Sequence, residues 1–213
     1  MNTGFTDNFA TTPSIETILK WLKANLTEER YNHTLGVKDA AIELAKRYGL
    51  NPKKAGLAGL LHDCAKCLKN EDLLDIINTK CQNIEKSELL NYKTYHAPVG
   101  ETFARDIFKI DDPEILSAIR CHTLGKTDMT TFEKIIFLAD KIEANTRPFE
   151  YRKKLWDILD EYDKIKTGLG LDMALYECFS STIKSLVERH LAICPLTIDV
   201  YNKLLDDVKD YLK

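Results

Sequence analysis

Apolar residues recur at intervals of three and four along most of this chain, the spacing of a helix with one buried face. Ile15, Ile18, Leu19 and Leu22 set a first helix that opens at Pro13 or Ser14. Thr27, followed by Glu28 and Glu29, reads as a cap and an acidic first turn, which suit a helix N-terminus. The second helix then runs through Val37, Ala40, Ala41, Leu44 and Ala45 to a stop at Gly49. Asn51-Pro52 is a cap followed by a first-turn proline and starts a third helix, ending near Ala65. Asn70 is expected to cap a short helix from Glu71 to Asn78, and residues 79–95 read as a loop holding one short helix. Pro98 is the expected first residue of a helix to Phe108, Asp112-Pro113 opens one to His122, and Thr130 or Thr131 caps one to Ala144. The periodicity resumes from Phe149 to Asp163 and breaks at Gly168 and Gly170. It returns from Leu171 to Ile193 and, after Cys194-Pro195, in a last helix capped by Thr197 and reaching Leu212. No segment alternates with a period of two. The expectation is an all-α fold: a flexible N-terminus over residues 1–12, a helical core over 13–150, and C-terminal helices over 151–213 packed on it.

Composition narrows the classes. The 213 residues are 44% hydrophobic and 30% charged, too apolar for a disordered chain and long enough to bury a core without disulfides or structural metal. A net charge of −3 with no basic block speaks against nucleic acid as the main partner, while leaving room for a phosphate-bearing substrate held by a few local cations. No apolar run is long enough for a membrane span, and the first residues do not read as a signal peptide. Six scattered cysteines then read as free thiols in a reducing cytoplasm.

Chemistry concentrates in a few ionisable residues set among apolar ones. His62-Asp63 ends the apolar helix Ala55-Gly-Leu-Ala-Gly-Leu-Leu61. Consecutive residues are about 100° apart on a helix, so both reach one ion most easily at its end. Charged groups on a buried helix need neutralising, which a metal does directly and a simple buried His–Asp hydrogen bond does in part. His33 sits in an amphipathic helix, Asp140 in Phe137-Leu-Ala-Asp-Lys-Ile-Glu143, His96 before Ala-Pro-Val-Gly100, and His122 at a helix end in Ile119-Arg-Cys-His122. Each alone reads as a satisfied core group. Together they come from separate helices, which a bundle can converge on one interior point.

The order His33, His62-Asp63, Asp140, with His96 and His122 added, resembles the HD-domain metal-dependent phosphohydrolases in their two-metal branch. The words Arg30-Tyr-Asn-His-Thr-Leu-Gly-Val37, Ala58-Gly-Leu-Leu-His-Asp-Cys-Ala-Lys66, Ala118-Ile-Arg-Cys-His-Thr123 and Ile135-Ile-Phe-Leu-Ala-Asp-Lys-Ile-Glu143 are similar to the YqeK-type group, the symmetrical bis(5′-nucleosyl)-tetraphosphatases. The likeness covers residues 14–190. It differs at His96-Ala-Pro98, where the group more often has Gly after the His, and at Glu143-Ala-Asn-Thr-Arg147, where Glu-Pro-Asn-Arg is usual.

This resemblance implies an HD-domain helical bundle that hydrolyses diadenosine tetraphosphate to two ADP through a metal-bridged hydroxide. One ion would be held by His33, His62, Asp63 and Asp140, and a second by Asp63, His96 and His122, with Asp63 bridging. Imidazole and carboxylate without thiolate suit iron, the first expectation, or manganese, cobalt or zinc, as divalent or mixed-valence ions. Two ions about 3.5–4 Å apart activate a water and clamp phosphoryl oxygens. Lys66, three residues after Asp63, is expected to act on the phosphate in catalysis. Arg147 and Arg30 are candidate phosphate ligands, Arg30 being equally suited to a salt bridge. Glu143 is placed to orient a ligand or hold a basic residue. A dinucleoside polyphosphate is the expected partner, with no nucleic acid, no membrane, and room for a homodimer. Two readings compete: another HD phosphohydrolase such as a nucleoside 5′-monophosphatase, and a non-catalytic regulatory module on the same fold.

Other signals carry less. Cys64-Ala-Lys-Cys67 has no second pair at zinc-ribbon spacing. Leu124-Gly-Lys-Thr127 lacks the earlier glycine of a phosphate loop, because position 120 is Arg120. His190 lies in a polar stretch late in a helix, and Trp21 and Trp156 fall within apolar helical patterns that suit a core.

Overall fold

Capping side chains stand where several of the helices begin. Ser14 accepts the Thr17 amide at 3.2 Å ahead of α1 (Ile15–Asn25), and Thr27 accepts the Arg30 amide at 3.4 Å ahead of α2 (Glu28–Arg47). Asn51 takes the Lys53 and Lys54 amides before α3 (Pro52–Leu61). After α4 (Asn70–Lys80) and α5 (His96–Asp106), Asp112 repeats the Asn51 device before α6 (Pro113–Cys121). Thr130 and Glu133 form a reciprocal capping box at α7 (Thr131–Ile142). The chain continues through α8 (Phe149–Tyr162), α9 (Leu169–Glu188) and α10 (Pro195–Val208). This computed structural model describes residues 9–212, and among them there are ten α-helices, short 3₁₀ turns and no strand. Among the described residues no helix is long and apolar enough to cross a membrane.

Several boundaries differ from the sequence expectation, each for a local reason. The third helix ends at Leu61 rather than Ala65, because Asp63 turns out of it (φ −108°, ψ 14°) into a 3₁₀ turn over Cys64–Cys67. Asn70 is the first residue of α4 and not its cap, a place taken by Lys69 without a side-chain bond. α5 starts at His96, two residues before Pro98, which still lies within the first turn where its missing amide costs nothing. α9 starts earlier than expected, at Leu169, behind a left-handed Gly168. Pro195, not Thr197, opens the last helix, with Cys194 as its cap. Within the expected flexible N-terminus, residues 1–8 lie outside the described residues. Phe9 stacks on Phe108 with ring centroids 5.9 Å apart, and the Thr12 hydroxyl donates to the Lys109 carbonyl at 2.7 Å, so the chain is tethered before α1.

α2, α3, α6 and α7 form the centre, with α2 lying against both α3 and α7. α2 and α3 come close because Gly59 has no side chain: a Cβ there would stand 3.0–3.1 Å from the Lys38 backbone. Val37, Leu44, Leu60, Leu61, Ile119, Ile135 and Leu138 fill the space between these helices and are almost wholly buried. Leu155, Leu159, Leu175, Phe179 and Val200, from α8, α9 and α10, belong to the same apolar cluster. Polar contacts tie the C-terminal end of α2 to that of α8. Arg47 donates to Asp160, Asp163 and the Leu159 carbonyl at 2.7–2.8 Å. Asp163 also accepts from the Tyr48 hydroxyl and from the Gly168 and Gly170 amides.

Candidate metal centre

The ends of α3 and α6 are built alike. Each delivers a histidine as its last cap, His62 and His122, whose Nδ1 lies 2.7 Å from the carbonyl three residues back, Gly59 or Ile119. A carbonyl only accepts, so Nδ1 carries the proton and Nε2 turns a lone pair inward. His33 enters from the middle of α2, with Nδ1 3.1 Å from Glu143 Oε1, which fixes the same tautomer. His96 comes from the first residue of α5, and Asp140 from the last turn of α7. Asp63 follows His62 directly, at the turn where α3 gives way to the 3₁₀ segment.

All six converge. His33 Nε2 lies 3.0 Å from Asp140 Oδ1 and 3.8 Å from Asp63 Oδ2, and His62 Nε2 lies 3.4 Å from Asp63 Oδ2 and 4.0 Å from Asp140 Oδ1. The other oxygen of Asp63 faces the opposite way, 3.2 Å from His96 Nε2 and 3.4 Å from His122 Nε2. The ligand atoms of His33, His62 and Asp140 lie within 4.8 Å of one another, as do those of His62, Asp63 and His122, and either group could hold an ion. His96 joins the second group through its 3.1 Å approach to His122 Nε2. Two ring nitrogens so close need a proton or a cation between them.

The residues fit a metal on a further count. His62 Nε2 and both oxygens of Asp63 are buried without a hydrogen-bond partner, although Lys66 Nζ forms an ion pair with Asp63 Oδ2 at 2.8 Å. Unsatisfied buried polar atoms each cost on the order of 1–3 kcal/mol, more when charged, and a cation among them removes that cost. Burial opposes charge on Asp63, but the nearby His62, Lys66 and His122 outweigh it and hold the carboxyl well below the usual range. Asp140 is likewise held low against burial, by Lys141, His33, Arg147 and His62. Burial, with His96 and His62 nearby, pushes His122 down to about 4, so that it is neutral at pH 7. His96 is lowered by burial and by Lys66 and His62. His33, facing Asp140, Asp63 and Glu143, is raised against its own burial.

Around this cluster runs a supporting layer. The Glu143 carboxylate is fully buried and accepts from His33, from the Asn145 and Thr146 amides and from the Thr146 hydroxyl. Those contacts outweigh its burial and keep it ionised below its ordinary range. A Cβ on Gly36 would overlap Glu143 Oε2, so only glycine lets α2 close over that carboxylate. Asn145 Nδ2 donates to the Asn32 carbonyl at 2.7 Å and ties the turn to α2. Arg147 is engaged inside the protein: Nη2 donates to Asp140 Oδ1 at 2.6 Å and Nε to the Asp140 carbonyl at 2.7 Å. These two bonds hold the Asp140 carboxylate in its orientation. Lys141 pairs with the other Asp140 oxygen at 2.8 Å.

A model of the family described as HD domain matches residues 30–145, over half of the chain and all six converging residues. The chain belongs to the HD-domain family. The HD domain is a divalent-metal-binding unit, in agreement with the two residue groups. The relatives of this HD protein extend beyond the matched segment. It is 36% identical to the symmetrical bis(5′-nucleosyl)-tetraphosphatase of Halalkalibacterium halodurans over 90% of this chain and 97% of that one. It is also 36% identical to the protein of the same description from Bacillus subtilis, over 89% and 97%. A crystal structure of a predicted HD superfamily hydrolase involved in NAD metabolism, from Clostridium acetobutylicum, superposes with a TM-score of 0.83 at 35% identity, covering 92% of this chain and 99% of that one.

The cluster forms one wall of a cavity of about 220 Å³ that also meets Arg30, Lys66 and Arg147. Arg30 and Lys66 continue into an adjoining cavity of about 290 Å³, walled further by Leu68, Leu73, Tyr92 and Lys93. The sequence pointed to Arg30 and Lys66 but not to Tyr92, Lys93 or Thr146. No pattern marks those three, because the turns around 91–94 and 144–147 alone aim them here. The weaker motifs stay apart. Cys64 and Cys67 donate to different carbonyls as free thiols, Lys126 of the Gly-Lys-Thr word pairs with Glu133, and His190 is exposed behind α9. Trp21 is buried in the core and Trp156 packs against it.

Proposed function

We propose that this HD protein hydrolyses diadenosine tetraphosphate symmetrically, to two ADP, at His33, His62, Asp63, His96, His122 and Asp140. The observation that carries this is a buried cluster of imidazole and carboxylate atoms with orphaned lone pairs, opening on a cation-lined cavity. The chain housing it is similar along nearly its whole length to symmetrical bis(5′-nucleosyl)-tetraphosphatases. Two divalent or mixed-valence ions, iron foremost, would supply Lewis acidity and an activated water there. The opposed oxygens of Asp63, one toward His33 and His62 and the other toward His96 and His122, support its role as the shared ligand.

The chain's own groups do the rest. Glu143 holds the proton on His33 Nδ1, and two carbonyls do the same for His62 and His122, so each presents Nε2. Arg147 fixes the angle of Asp140 and borders the cavity. The Lys66 ammonium, 2.8 Å from Asp63 and facing both cavities, meets the negative charge that spreads over phosphoryl oxygens in the transition state. Arg30, whose guanidinium pairs with no carboxylate among the described residues, is free to hold the next phosphate. ADP leaves as a weakly basic phosphate anion, so no strong general acid is required. A single-phosphate substrate would leave the second, cation-bearing cavity without use, which favours the dinucleoside over a nucleoside 5′-monophosphate. Six free thiols among the described residues suit the reducing cytoplasm in which we place the reaction.

The test is elemental analysis of anaerobically purified protein, followed by turnover of diadenosine tetraphosphate, dAMP and a cyclic dinucleotide. About two ions per chain and preference for the first substrate are expected. Metal-free protein with full activity, or dAMP as the preferred substrate, contradicts the proposal.

A further inference from the structure

We propose that Tyr92 is a stacking platform for one nucleobase of the substrate, a reading that rests on the function proposed above. The cavity of about 290 Å³ has two kinds of wall. Arg30, Lys66 and Lys93 give it a cationic side, and Leu68, Leu73 and the Tyr92 ring give it an apolar one. A polyphosphate joined to a nucleoside has the same division. Arg30 and Lys66 also border the cavity on the metal cluster, so a phosphate chain passing them leads from the cluster to the ring. Neither Arg30 nor Lys93 has an ion-pair partner among the described residues, which leaves both cations available to a ligand.

Tyr92 is 55% exposed, a large aromatic surface left in solvent beside a buried catalytic cluster. It is nevertheless held in place. It opens the 3₁₀ turn Tyr92–Thr94, where Asn91 Oδ1 accepts the Lys93 amide at 3.0 Å and the Thr94 hydroxyl bonds to the Glu88 and Asn91 carbonyls at 3.0 and 2.7 Å. Two residues later the same segment enters α5 with His96, a member of the cluster. The ring and the cluster are therefore linked by three intervening residues of ordered backbone. Aromatic stacking suits this place because every base has a π-face. The enclosed cavity beside Lys141, walled by Phe137 and Phe179, is a poorer host. At about 140 Å³ it has half the volume, and none of the six clustered residues lines it.

The experiment measures binding of two product-like ligands to the metal-loaded protein by calorimetry: ADP, which has a base, and inorganic pyrophosphate, which has none. Tyr92→Ala should weaken ADP by about 5- to 150-fold, the stacking contribution of one base, and leave pyrophosphate unchanged. Tyr92→Phe should restore ADP binding, since the ring and not the hydroxyl is used. In turnover, Tyr92→Ala should raise KM for diadenosine tetraphosphate far more than it lowers kcat. Equal ADP affinity in wild type and Tyr92→Ala overturns the inference alone if the wild type still cleaves the dinucleotide. Equal weakening of ADP and pyrophosphate also overturns it, showing a general loss of the site. A wild type that neither binds ADP nor cleaves diadenosine tetraphosphate overturns both this inference and the function beneath it.

Discussion

Replacing Glu143 by Gln changes one atom and tests how the cluster is held. The carboxylate has four donors pointing at it: His33 Nδ1, the Asn145 and Thr146 amides and the Thr146 hydroxyl. A glutamine has one oxygen for them and must turn its NH₂ toward the rest. With the oxygen toward His33, the NH₂ faces the Asn145 amide, which now donates to Glu143 Oε2 at 2.6 Å. With the oxygen toward Asn145, the NH₂ faces His33 Nδ1, takes its lone pair, and forces the proton onto Nε2. The first arrangement orphans a part-buried donor, at about 1 kcal/mol of stability, the low end for an unsatisfied group. The second removes the inward lone pair of His33. Loss of an orienting partner of this type lowers metal affinity about 10- to 100-fold, or roughly 1.4–2.7 kcal/mol. Metal content after dialysis against a metal-buffered solution and urea unfolding of the stripped protein separate the two effects. Glu143→Gln with wild-type metal affinity and wild-type stability would refute the reasoning, because neither arrangement is free of cost.

Asp63→Ala should lose most metal and all turnover, read by elemental analysis and nucleotide chromatography, since both of its oxygens face imidazoles of the cluster. Lys66→Ala should keep its metal and lose about 100- to 1,000-fold in kcat, the value of one preorganised charge in the transition state; a wild-type rate would make Lys66 a surface residue. Chelation should lower the thermal midpoint and restoring metal should raise it, by about 2.7 kcal/mol of stability when the metal is at 100 times its Kd. Arg47→Ala, far from the cluster, should cost about 1–2 kcal/mol in urea unfolding, its partly exposed bonds to Asp160 and Asp163 being discounted for solvent, with turnover per folded molecule unchanged.

The helix starts were legible wherever a side chain announces them. Ser14, Thr27, Asn51, Asp112 and Thr130 each accept an amide in the way their residue types suggest. Among starts with no such side chain, α4 behind Lys69, α5 behind Tyr95, α9 behind Gly168 and α10 behind Cys194 were misplaced, while α8 begins at Phe149 as the periodicity indicates. The all-α class followed from periodicity, and the convergence of the five helices that carry the cluster followed from its histidines and aspartates. The position of Asp63 did not. Periodicity extends the third helix to Ala65, whereas the 3₁₀ turn from Cys64 frees Asp63 to divide its oxygens between two sets of imidazoles. Arg147 was legible as a basic residue near Asp140 but not as its clamp, because the turn over 143–146, pinned on Glu143, sets its direction. Tyr92 gave no signal, since an exposed aromatic in an irregular stretch looks the same whether or not a cavity lies beside it.

The most direct test of the central claim is the position of the broken bond. Diadenosine tetraphosphate is hydrolysed in oxygen-18 water by metal-loaded protein, and the first nucleotides formed are separated and weighed by mass spectrometry. Attack at the second phosphate from one nucleoside, with ADP as the leaving group, predicts ADP as the sole nucleotide product and one labelled oxygen for each pair of ADP molecules. ATP and AMP as the primary products would contradict symmetrical cleavage, and no product from fully metal-loaded protein would contradict the function itself.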